Sequence, residues 1–159
     1  MHNNYVYIKI PSLSVNESFA RAAVAAFCSS LNPTMSEISD IKTAVSEAVT
    51  NAVVHAYEDE IGEIEIQCRI KGQVVEIIVE DFGCGIADVE KAREPLFTTR
   101  PELERSGMGF SVMESFMDDL VVLSEKDVGT KVILRKKISE KKLKTLNEES
   151  DDESLEDEE

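Results

Sequence analysis

The sequence predicts an α+β fold: a two-layer α/β sandwich in which a mostly antiparallel sheet is covered on one face by helices. Three observations carry this reading. Residues 62–70 alternate apolar and polar with period two, Lys71-Gly72-Gln73 reads as a turn, and residues 74–80 form the returning strand of a hairpin. Two stretches ahead of that hairpin repeat apolar residues at helical spacing, each opened by the Ser/Thr-x-x-Glu pattern of a capping box. The resulting order is strand, helix, helix, strand, strand, helix, strand, strand. Neighbouring hairpin strands pair antiparallel, and such a sheet buries one face under helices.

In chain order, residues 5–10 (Tyr-Val-Tyr-Ile-Lys-Ile) alternate enough for a first strand. Ser14-Val15-Asn16-Glu17 opens a helix through Phe19, Ala22, Ala23, Ala26 and Phe27 that ends near Asn32-Pro33. Thr34-Met35-Ser36-Glu37 opens a second, whose apolar stripe Ile38, Ile41, Val45, Ala48, Val49, Ala52, Val53 carries it to about Tyr57. After the hairpin, a short helix covers residues 88–93. Residues 94–108 lack periodicity and carry Pro95, Pro101 and Gly107, so they read as a mobile loop. Residues 109–116 look helical. Residues 120–123 and 131–134 are two more strands around a turn at Asp127-Val128-Gly129. Residues 138–146 are Lys-rich and extend or fray from the last strand.

The 159 residues suit one domain with a single core. No apolar run approaches the roughly 20 residues that span a bilayer. The opening Met1-His2-Asn3-Asn4-Tyr5 lacks the basic and apolar regions of a secretion signal, so the expected location is cytoplasmic, with no membrane partner. Cys28, Cys68 and Cys84 are odd in number and widely spaced, which argues against a disulfide framework or a zinc site. Cys28 and Cys68 fall at apolar positions, whereas Cys84 lies in a Gly-rich loop. The net charge is −15, and nine of the acids lie within residues 147–159, which contain no base. Such a block does not fold on its own. It is a solvated tail or an interaction tail for a basic partner. The acidic balance argues against direct binding of nucleic acid, which requires a basic surface.

Chemistry concentrates in three places. Glu47, Asn51 and His55 recur at i, i+4 and i+8, so they form one polar column on the second helix. By itself this is also the pattern of a solvated helix face. Asp81-x-Gly83-x-Gly85 follows a strand directly. A carboxylate there can accept from an exocyclic amine such as that of adenine, and the glycines let backbone approach a flat ring; a plain tight turn would look the same. Gly107-Met108-Gly109 precedes a helix, whose first free N–H groups suit phosphate, although a hinge would also use glycines. Thr98, Thr99 and Arg100, with Arg105 and Ser106, flank it with hydroxyls and cations suited to a triphosphate. There is no GxxxxGK[ST] loop and no GxGxxG after the first strand, and Asp81-Phe82-Gly83 has no catalytic loop ahead of it.

Taken in order, these motifs resemble a known set. Residues 47–55 resemble the N box of the ATPase/kinase superfamily of histidine kinases, Hsp90-type chaperones and MutL-type proteins. Asp81-x-Gly83-x-Gly85 resembles its first G box, Gly107-Met108-Gly109-Phe110 its second, and Gly129-Thr130 its last element. Longer stretches, at 46–52, 95–110 and 113–119, are similar to the anti-sigma F factors of endospore-forming bacteria. The resemblance spans residues 5 to 137. It implies a Bergerat-type ATP-binding fold, with an ATP-binding kinase domain at 1–137 and a charged tail at 138–159.

The resemblance further implies ATP and Mg2+ as cofactors and the activity of a protein serine/threonine kinase. Glu47 would be the general base and Arg105 the cation at the terminal phosphate. Asn51 would hold the metal. Asp81, with Gly83, Gly85 and Thr130, would take the adenine end, and Thr98, Thr99, Ser106, Gly107, Met108 and Gly109 the phosphate end. It implies a homodimer that binds a sporulation sigma factor, partly through Arg21, and phosphorylates an anti-anti-sigma protein on serine. One departure is His55-Ala56-Tyr57, where many members have Gly before Tyr, which suggests a longer second helix. Two alternatives stand beside this reading. One is a non-catalytic, ATP-dependent module that sequesters a sigma factor. The other is a histidine-kinase catalytic domain, disfavoured because residues 1–33 offer only His2 as phosphoacceptor and no helical hairpin.

Overall fold

Alternation, capping and turn chemistry produce five strands and four α-helices in the computed structural model, which describes residues 3–95 and 109–140. They are β1 (Asn3–Pro11), α1 (Val15–Cys28), α2 (Met35–Asn51), β2 (Glu63–Lys71), β3 (Val74–Asp81), α3 (Val89–Ala92), α4 (Gly109–Phe116), β4 (Asp119–Glu125) and β5 (Gly129–Lys137). The five strands form one sheet in the order β1-β2-β3-β5-β4, with every pairing antiparallel. This is the expected α+β architecture.

The two capping boxes behave differently. Thr34 accepts from Glu37 N–H at 3.2 Å while Glu37 accepts from Thr34 N–H at 2.7 Å, so both limbs close. Ser14 has helical backbone angles and makes no side-chain cap, contrary to expectation. Glu17, its presumed partner, accepts from the Thr50 hydroxyl of α2 at 3.1 Å. A competing tertiary hydrogen bond replaces the local one.

The sheet faces follow from period two. Ile64, Ile66, Cys68 and Ile70 of β2 and Val75, Ile77 and Val79 of β3 point toward the helices and are at most 3% exposed. They meet Val24 and Cys28 of α1, and Ile41, Val45 and Val49 of α2, all fully buried. Burial pushes the Cys28 and Cys68 thiols up to about 12, as suits core residues. The same alternation places Asp81, the last residue of β3, on the helix-facing side; its Cα partner on β5 is Thr130. Packing continues past β5, because Ile138 is fully buried and Ser139 donates twice to Glu37 at 2.8 Å. The folded unit thus runs two residues beyond the expected boundary at 137. Residues 141–159, including the acidic block, lie outside the described residues.

Candidate functional site

The second helix reaches the expected end near Tyr57, but its geometry changes on the way. Regular α geometry stops at Asn51, and residues 52–56 form a π-helical turn. Such turns widen the helix and recur at functional sites. Here the widening turns the Ala56 carbonyl toward the loop after β3, where it accepts from Cys84 N–H at 2.7 Å. Any Cβ at Gly83 would overlap the Ala56 backbone, so this approach requires glycine. Gly85, at φ +68°, passes equally close to the Glu125 carbonyl. Tyr57 completes the junction: its hydroxyl donates to the Glu63 carbonyl at 2.6 Å and accepts from Phe82 N–H at 2.9 Å.

Asp81 is 8% exposed, at the end of an otherwise apolar strand face. Its Oδ1 accepts from Gly83 N–H at 3.0 Å and Thr130 N–H at 3.3 Å. No described residue donates to Oδ2. Burial raises the Asp81 pKa above the usual carboxylate value, while the two backbone donors pull it partway back. The carboxylate is therefore fixed through one oxygen, and its second oxygen remains available to a ligand.

At the other end, Gly109 begins α4 directly against α2. A Cβ on Gly109 would lie 3.2 Å from both Glu47 Oε2 and Asn51 Oδ1. A helix start can approach these polar groups so closely because the residue has no side chain.

Between the two ends lies a cavity of about 580 Å3, inside the range of ligand pockets. Asn51, His55, Asp81, Gly85, Gly109 and Thr130 line it, with Ala48, Ala52, Val79, Ile86, Phe110 and Val132 as apolar walls. Of the predicted residues, Asn51, Asp81, Gly85, Gly109 and Thr130 thus converge on one space. Glu47 stands beside Asn51 against Gly109, and Gly83 packs behind the lining. Arg21 is elsewhere, exposed on α1 with its guanidinium 3.4 Å from the Ser46 hydroxyl. Thr98, Thr99, Arg105, Ser106, Gly107 and Met108 lie outside the described residues.

Some lining was not anticipated. Lys91 and Lys126 bring positive charge to the cavity, and Asp127 N–H ties the β4–β5 turn to the Cys84 carbonyl at 2.7 Å. Cys84 is exposed and lines the cavity too. No local pattern marked the lysines, because Lys91 on α3 and Lys126 in the β4–β5 turn reach the cavity through tertiary packing rather than through a spacing. Chemically, the cavity offers apolar walls with a carboxylate at one end, and an amide and a helix start at the other, where Glu47 stands beside Asn51. This fits a purine nucleotide. Among the described residues no cluster of three His, Cys, Asp or Glu side chains could hold a metal alone. A magnesium ion bound here would therefore rest on Asn51 and on ligand phosphates, as that ion commonly does.

Comparison with known proteins agrees with this geometry. A family model described as a histidine kinase-like ATPase domain matches residues 10–136. A protein of Clostridium novyi named anti-sigma F factor is 58% identical over 139 residues, covering 87% of this chain and 97% of that one. Proteins of the same name from Clostridium kluyveri and Bacillus velezensis are 55% and 51% identical, each covering 96% of the relative and at least 86% of this chain. A crystal structure of the RsbU and RsbW domains of a Mycobacterium tuberculosis protein superposes with a TM-score of 0.65 at 20% identity, covering 87% of this chain and 33% of that one. At that identity it supports the fold alone. The chain belongs to the histidine kinase-like ATPase family, within its anti-sigma F factor branch.

Proposed function

We propose that this protein is an anti-sigma factor and serine kinase: it binds and inhibits a sporulation sigma factor and uses Mg-ATP to phosphorylate an anti-anti-sigma protein on serine. The observation that carries the nucleotide part is the cavity itself, with Asp81 Oδ2 open at its apolar end and Asn51 and Glu47 beside Gly109 at its polar end. The partner part is supported by the name that relatives at 51–58% identity share.

On this reading Asp81 Oδ2 accepts from the adenine amine, and the apolar walls exclude water from the ring. Asn51 Oδ1 is the oxygen that would hold magnesium, which when bound neutralises phosphate charge. Glu47 orients the substrate seryl hydroxyl and takes its proton. The seryl oxygen then forms a bond to the terminal phosphorus as the bond to the bridging oxygen breaks, and ADP leaves with that electron pair. Arg105, with Thr98, Thr99, Ser106, Gly107 and Met108, belongs on this proposal to the phosphate end. Arg21 is assigned to the sigma-factor surface. We place the working form as a cytoplasmic homodimer, with 1–137 as kinase domain and 138–159 as a tail whose first residues, Ile138 and Ser139, pack back on that domain.

Transfer of label from radioactive ATP tests this directly. With magnesium and a cognate anti-anti-sigma protein, label should appear on a partner serine. Glu47→Ala should keep nucleotide binding and lose transfer by about 10²-fold, the usual contribution of a positioned base. Equal transfer by the variant would remove Glu47 from the chemistry. Bound ATP with no transfer to a cognate partner would favour a sigma-sequestering module without catalysis.

A further inference from the structure

Ser124 does not line the cavity, yet it touches three groups that shape it. Its hydroxyl oxygen lies 2.8 Å from Ile86 N–H, 3.0 Å from the Gly129 carbonyl and 2.7 Å from Thr130 Oγ1. Ser124 and Thr130 are cross-strand partners on β4 and β5, and Thr130 is in turn the partner of Asp81 on β3. The three side chains form a row across the end of the sheet, on its helix-facing side.

A hydroxyl has one hydrogen and two lone pairs. Ile86 N–H occupies one lone pair of Ser124. If Ser124 gave its hydrogen to Thr130, its contact with the Gly129 carbonyl would hold no hydrogen at all. If instead Ser124 donates to Gly129, Thr130 donates to the second lone pair of Ser124. All three contacts are hydrogen bonds only in this second arrangement. It commits the Thr130 hydrogen away from the cavity and leaves its lone pairs facing inward. Beside it, Asp81 Oδ1 is filled by two backbone donors and Oδ2 is open. Among the described residues, the end of the cavity therefore shows two adjacent acceptors and no hydroxyl donor.

We infer that Ser124 is a positioning residue that holds Thr130 as an acceptor, so that the cavity selects a 6-amino over a 6-oxo purine nucleotide. This rests on the nucleotide reading above. An amine brings hydrogens to both acceptors. A ring carbonyl in the same pose meets their lone pairs with its own, and a site built to bond a donor rejects the analogue that lacks it. Without Ser124 the Thr130 hydroxyl is free to turn and donate to that carbonyl.

Binding of ATP and of inosine triphosphate, its 6-oxo counterpart, to the full chain tests the inference. The native protein should prefer ATP. Ser124→Ala should shrink the ATP-to-inosine-triphosphate preference by about tenfold, and Ser124→Thr, which keeps the hydroxyl, should restore it. Thr130→Val supplies the same test without touching Ser124 and should shrink the preference too. Parallel weakening of both nucleotides in these variants, with the ratio unchanged, would reduce Ser124 to a packing role and overturn the inference. So would a native protein that binds both equally, although the nucleotide site would stand. A native protein that binds neither would overturn the site and the inference together.

Discussion

Asp81 and Glu37 are both carboxylates that accept backbone hydrogen bonds, and burial decides their different behaviour. Asp81 accepts two such bonds, yet desolvation dominates and its pKa rises. Glu37 is partly exposed. Thr34 N–H and Ser139 N–H hold its carboxyl at about 2, against an ordinary value of 4.5. A depressed folded value contributes stability that is complete above the unfolded pKa and fades as pH falls through the folded one. Glu37→Gln should therefore lower the thermal midpoint at pH 7 by about 2 to 4 °C, the size expected for losing a cap contact. The gap to the native protein should close between pH 4.5 and about 2. Melting curves across that range check this, and a constant gap would contradict it. Thr34-x-x-Glu37 was legible from four residues. The additional bond to Ser139 was not, because it joins positions 102 residues apart.

Helix α4 owes its place to contacts at both ends. Gly109 lets its start approach Asn51 and Glu47. At its other end Lys136, 8% exposed on the helix-facing side of β5, donates to the Phe116 carbonyl at 2.7 Å and pairs with Asp40 of α2 at 3.2 Å. Lys136→Met would leave Asp40 and that carbonyl unpaired. It should cost about 2 kcal/mol, less than for a fully buried pair because Asp40 keeps some solvent. Urea denaturation measures it; an unchanged midpoint would show that the ammonium does not hold α4 to α2. The sequence marked α4, the hairpin and α2 through periodicity and capping. It did not mark the π-helical turn, because residues 52–56 continue the apolar helical pattern and the widening comes from packing against Cys84 and Gly83. The Ser14 cap failed for a similar reason, since α2 draws Glu17 away.

For the whole molecule, sheet order decides what sequence spacing cannot. Asp81 is far in the chain from the β4–β5 pair Ser124 and Thr130 but lies in one row with them across β3-β5-β4, and α2 brings Asn51 to the same cavity with Glu47 beside it against Gly109. Asp81, Asn51 and Thr130 were legible through motifs. Ser124 was not, because its relevance depends on which strands pair, and Lys91 and Lys126 were not, because a short helix and a turn carry them to the cavity only in the folded chain. The proposed nucleotide site depends on Asp81 facing its ligand, and calorimetric titration of ATP into the native protein and Asp81→Asn tests that most directly. The asparagine keeps an oxygen for Gly83 and Thr130 N–H and removes a buried charge, so the variant should fold with undiminished stability. It should bind ATP at least about tenfold more weakly, since the amine loses a charged acceptor. A folded variant with native ATP affinity would contradict the site described here.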